Sequence, residues 1–132
     1  MTLMNDSTTI GPIRCLIPTQ PGLSRVMRLA ASGMASLAGF SVEFIDDIKI
    51  AVSEVLIALI EHGQGEEVDI EMGIVGRVFS ITGSTRAATL DLAHPDLTLC
   101  TMVLSEVCVE YHVGMAGQRI EIRASLQSDQ IA

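Results

Sequence analysis

The sequence predicts one domain of the α/β class, built as a two-layer α+β sandwich with a mixed, mostly antiparallel sheet and its helices on one face. Three observations lead there. The apolar pattern has a helical period up to Gly63 and switches to a period of two at Glu67. Turn signals at Gly76 and at Gly114 to Gly117 place hairpins in the middle and near the end, and hairpins cannot be parallel crossovers. The length of 132 residues suits a single domain, which at this size buries roughly two-thirds of the surface of its unfolded chain.

The elements follow in the order β-α-α-β-β-α-β-β. A polar tail over residues 1–12 precedes a short strand from Ile13 to Ile17, and Pro18, Pro21 and Gly22 then open a helix that ends near Gly39. Leu23, Val26, Met27, Leu29, Ala30 and Met34 supply its apolar face, with Arg25 and Arg28 three apart. Ser41 followed by Glu43 suits a second helix start, and Ile45, Ile48, Val52, Val55, Leu56, Leu59 and Ile60 form its buried stripe. Val68, Ile70, Met72 and Ile74 alternate with polar residues, and a partner strand runs from Val78 to Ile81. Residues 83–95 read as a long connection, and Leu97 to Leu104 as a helix despite the poor helix formers Thr98, Thr101 and Val103. Strands from Val107 to Val113 and from Arg119 to Leu126 complete the domain over residues 13–127, with 128–132 as a tail.

Composition excludes several function classes. Sixteen acidic against eight basic residues give a net charge of -8, which repels a phosphate backbone, so no direct nucleic-acid binding is expected. Cys15, Cys100 and Cys108 are an odd set with no CxxC pair, which argues against a disulfide framework and a structural zinc site. His94 and His112 have no companion at metal-ligand spacing, so no metal site is expected. No apolar run reaches the roughly eighteen residues that span a bilayer, and the opening residues lack a signal-peptide pattern. The expected location is the cytoplasm, without membrane association. A hydrophobic fraction of 48% leaves apolar surface for a partner or a second copy to cover.

The segment from Asp46 to Gly63 carries a resemblance. Ala51, Val52, Ser53, Glu54, His62 and Gly63 match in register the N-box helix of the anti-sigma-factor serine kinases, a branch of the histidine-kinase and Hsp90-like ATPase superfamily. Glu106-Val107 is similar to that family's D-E-V segment, and Gly117 falls where a Gly-Thr pair precedes its last strand. The resemblance implies the histidine-kinase-like ATPase fold, a homodimer, and a sigma factor or an anti-sigma antagonist as protein partner. It also assigns roles. Glu54 falls at the general base or is its vestige. Ala58 stands where an asparagine gives its side-chain oxygen to Mg²⁺, and His62, Gly83, Thr85 and Gly117 occupy further nucleotide-site positions.

Several of those positions lack the chemistry the family uses. A methyl group at Ala58 has no lone pair for a hard, oxygen-seeking ion. Gly83 replaces the aspartate that reads the adenine amino group, a hydrogen bond of about 1–3 kcal/mol, and Thr85 adds bulk where a glycine is expected. His94-Pro95-Asp96-Leu97 stands in the phosphate-cradling segment, where proline lacks an N–H and aspartate repels phosphate. Gln118 replaces the threonine after Gly117. The expectation is therefore a degenerate, regulatory relative that acts by protein–protein binding and needs no cofactor. The alternative is an active kinase that phosphorylates an anti-sigma antagonist and uses ATP and Mg²⁺.

Taken without the resemblance, the same residues have plainer readings. Glu54 is a polar residue on an amphipathic helix, His62 a terminal residue favoured by the helix dipole, and the cysteines small apolar filler. Arg25 and Arg28 are exposed helix charges, and the resemblance makes them partner-binding residues.

Overall fold

The computed structural model describes residues 8–129. Its elements are β1 (Thr9–Pro18), α1 (Leu23–Leu37), α2 (Val42–His62), β2 (Glu67–Val75), β3 (Val78–Arg86), α3 (Pro95–Val107), β4 (Glu110–Ala116) and β5 (Arg119–Gln127). This is the expected order. The strands form one sheet in the order β1-β2-β3-β5-β4. Every neighbouring pair is antiparallel, so the sheet is not mixed.

Alternation in the strands separates the two faces. Val68, Ile70, Met72 and Ile74 of β2, Phe79 and Ile81 of β3, and Ile120, Ile122 and Leu126 of β5 are all buried and join Ile48, Val52, Val55, Leu56 and Leu59 of α2 in one core. The opposite face is polar. There Ser80 and Ser125 hydroxyls lie 3.3 Å apart, Arg14 pairs with Glu71 at 3.3 Å, and Arg123 pairs with Glu121 at 3.3 Å. Among the described residues no helix is long and apolar enough to cross a membrane.

Helix α2 begins as its sequence dictates, with the Ser41 side chain accepting a hydrogen bond from the Phe44 N–H at 3.2 Å. Helix α1 departs from expectation on one side. Met27, Ala31, Met34 and Ala35 face the core, whereas Val26 and Leu29 are 53% and 66% exposed.

Four boundaries differ from the sequence reading. Strand β1 starts at Thr9 rather than Ile13, because Thr9 and Ile10 pair with Val75 and Ile74 ahead of a register shift. Strand β3 continues beyond Ile81 through Gly83 and Thr85 to Arg86, since the inward positions Gly83 and Thr85 keep the alternation and the added residues pair with β5. A glycine inside a strand had the look of a break, whereas here it marks a close approach of neighbouring side chains. Helix α3 gains Pro95 at its first turn and runs on to Val107. Proline is pre-shaped for that first position, and Leu97, Cys100 and Leu104 bury a stripe that overrides the weak propensities. Strand β4 consequently starts at Glu110, not Val107.

Candidate functional site

Glu54, Ala58 and His62 recur every four residues on α2, a spacing that aligns them along one side of the helix. That side meets α3. Cys100 Sγ of α3 donates to the Glu54 carbonyl oxygen at 3.7 Å, and the His62 ring reaches the α3 start. Glu54 is half-buried, and burial pushes its carboxyl above the usual range. Burial, reinforced by the charges of Glu54 and Cys108, pushes the Cys100 thiol up to about 12. Burial likewise pushes Cys108 up to about 11, so neither thiol forms a reactive thiolate near neutrality. Ala58 is 5% exposed and presents only its methyl group.

Beside this helix, the positions on β3 are closed by core atoms. A Cβ built at Gly83 would lie 2.5 Å from Leu59 Cδ1, 3.2 Å from Ile70 Cδ1 and 3.3 Å from Val55 Cγ1. Any side chain there has to displace Leu59. Thr85 is fully buried, and its hydroxyl donates to the Glu67 carbonyl at 2.8 Å. Its methyl occupies the space a Cβ at Gly63 would need, and a Cβ at Gly65 would lie 2.6 Å from its hydroxyl oxygen. Thr85 is thus packed under the loop between α2 and β2, and the two glycines of that loop make room for it.

Gly117 stands apart from α2, in the β4–β5 turn, with φ 63° in the left-handed region that favours glycine. The neighbouring Gln118 carbonyl accepts from the Ala87 N–H at 3.0 Å and ties this turn to the end of β3. The two arginines lie on α1. Arg25 is exposed, while Arg28 is partly buried and donates to the Ser53 hydroxyl at 3.4 Å, which docks α1 on α2.

The fold also brings together residues that spacing left apart. His62, at the end of α2, and His94, at the cap of α3, stack edge to face with ring centroids 4.8 Å apart. Asp96 Oδ2 lies 3.8 Å from His62 Nε2 and 3.7 Å from His94 Nδ1. His94, which has no companion at metal-ligand spacing in the sequence, gains a neighbour more than thirty residues away through the meeting of α2 with α3.

No protein-family model matches the sequence. Among curated proteins, the serine-protein kinase RsbW of Listeria innocua is 35% identical over 96 residues, covering 70% of this chain and 58% of the relative. RsbW of Bacillus velezensis is 36% identical over 73 residues, covering 55% and 46%. RsbW of Bacillus subtilis is 37% identical over 67 residues, covering 51% and 42%. The matches therefore span less than two-thirds of these relatives' own length. Among solved structures, the RsbU and RsbW domains of a Mycobacterium tuberculosis protein superpose with a TM-score of 0.68 at 13% identity, over 89% of this chain and 32% of that one. The histidine kinase AdeS of Acinetobacter baumannii superposes with a TM-score of 0.54 at 8% identity, over 92% of this chain and 70% of that one. At those identities the structures speak for the fold alone, and the sequence of this chain is similar to that of the RsbW serine-protein kinases over part of their length.

Proposed function

We propose that this chain is a regulatory, anti-sigma-like protein that works by binding a protein partner on a fold whose ATP and Mg²⁺ site is degenerate. The observation that carries the reading is the packing around Gly83, where Leu59, Val55 and Ile70 fill the space an adenine-reading aspartate would need. Ala58 beside it offers no oxygen to a metal, and Thr85 is core rather than a bare backbone position. The residues present do not fit a magnesium nucleotide.

The similarity to the RsbW kinases supports the partner class, a sigma factor or an anti-sigma antagonist, with a second copy of the chain as dimer mate. The outer side of α1 supports a protein-binding role. It carries exposed Arg25 together with Val26 and Leu29, an arginine beside apolar side chains of the kind that anchors interfaces. Arg28 is a weaker choice for that surface, because it is partly buried and engaged with Ser53.

One observation favours a second reading, an active kinase. Glu54 is half-buried with its carboxyl pushed upward, which strengthens it as a general base. The two readings part in a binding assay with candidate sigma factors and antagonists. The regulatory reading expects association without nucleotide, unchanged by Mg-ATP and weakened about tenfold by Arg25→Glu. Transfer of labelled γ-phosphate to an antagonist, lost in Glu54→Gln, would overturn it in favour of the kinase.

A further inference from the structure

We propose that His62, His94 and Asp96 form a binding site for a divalent transition-metal ion of the zinc class, clamping the end of α2 to the start of α3. The three side chains each present one ligand atom, and all of these atoms lie within 4.8 Å of one another. Tetrahedral zinc with bonds of about 2.0–2.1 Å holds neighbouring ligands roughly 3.4 Å apart. The carboxylate-to-imidazole separations of 3.7 and 3.8 Å are therefore a few tenths of an ångström from that geometry.

A second observation points to a ligand. His62 Nε2 is fully buried and has no hydrogen-bond partner among the described residues. At 3.8 Å from Asp96 Oδ2 it is too far for a hydrogen bond, yet suitably placed for two groups sharing a small cation. A buried polar atom left in this state costs free energy that a metal bond would recover.

The donor set defines the ion. Two imidazoles and one carboxylate suit zinc, cobalt or nickel, whereas magnesium and calcium seek oxygen ligands alone. Three protein ligands leave the fourth position to water. The exposure of the His94 and Asp96 side chains, 44% and 60%, leaves the site open to solvent on that side. The negative end of the α2 dipole favours a cation, and the Asp96 charge offsets the opposing positive end of α3. Binding has one local cost: His94 Nδ1 now accepts the Asp96 N–H at 3.1 Å, and its lone pair would pass from that cap to the metal.

The inference rests on the degenerate reading of the nucleotide site, since His62 occupies a family nucleotide-site position and His94 and Asp96 stand in the phosphate-cradling segment, and zinc is therefore titrated without nucleotide. The test is calorimetric titration of the full, untagged chain with zinc chloride, with cobalt chloride added in parallel for its visible absorption. The expected result is one zinc per chain, a cobalt spectrum of four-coordinate type, and affinity lowered at least about tenfold in both His94→Ala and Asp96→Asn. His112→Ala, on the far face of the sheet, should bind as the parent does. Both ligand variants alter exposed side chains, so their folding is checked by circular dichroism and the test does not depend on replacing the more buried His62. Absence of zinc binding at millimolar concentration would overturn the proposal. So would binding that survives both variants but is lost in Cys15→Ser.

Discussion

Two stretches of α2 lie on the side that meets α3, and they have opposite fates. Between Glu54 and Leu59 the helix packs Val55 and Leu59 against Gly83 of β3, where an added Cβ would lie 3.3 and 2.5 Å from their side chains. At His62, a turn further on, the helix ends in a polar cluster with a buried nitrogen still unsatisfied. The difference follows from packing. In the first stretch, the strand beneath presents inward positions that apolar side chains of α2 and β2 cover. In the second, the partner is the start of another helix, which carries polar capping groups by necessity and cannot fill the space with hydrocarbon. One stretch of a helix can therefore pack into the core while polar groups gather at its end.

The largest effect is expected from Gly83→Asp, which puts a carboxylate at the position where the family carries one. Its charge would enter among Leu59, Val55 and Ile70 without a partner, so destabilisation of about 3–5 kcal/mol is expected in urea denaturation, with no gain of ATP binding. Near-parent stability would mean that Leu59 yields easily and the pocket is merely folded shut.

A smaller effect sharpens the same contrast. The Glu54 carboxyl is pushed above its unfolded value, so its contribution to stability is present in acid and is lost as pH rises through the folded value. At pH 7 the ionised group is a mild net cost. Glu54→Gln should therefore raise the melting temperature at pH 7 by about 1–2 °C, with the gain vanishing near pH 4. A fall in melting temperature at pH 7 would show that the carboxylate has a favourable partner.

Much of this architecture was legible in the residues themselves. The switch of period at Glu67 gave the β2–β3 hairpin, and the cap at Ser41 with the stop near Gly63 bounded α2. Two kinds of information were not. Gly83 resembles a loop residue in sequence, because its reason for being small lies in Leu59 and Ile70, which only the fold brings beside it. Val26 and Leu29 resemble core residues, because apolarity does not say which side of a helix a sheet will cover. The candidate site divides in the same way. Glu54, Ala58 and His62 could be read along one helix face, but the meeting of His62 with His94 depends on how α2 and α3 pack. Arg28 resembles an exposed charge in sequence, because its contact with Ser53 depends on how α1 docks on α2.

On the proposed reading, residues at the family's nucleotide-site positions serve as core in this chain. That reading is tested most directly by calorimetric titration of the purified chain with ATP, with and without Mg²⁺, beside an RsbW kinase as control. No detectable heat is expected at millimolar ATP in either condition; micromolar, Mg²⁺-dependent binding would overturn that reading in favour of a working kinase.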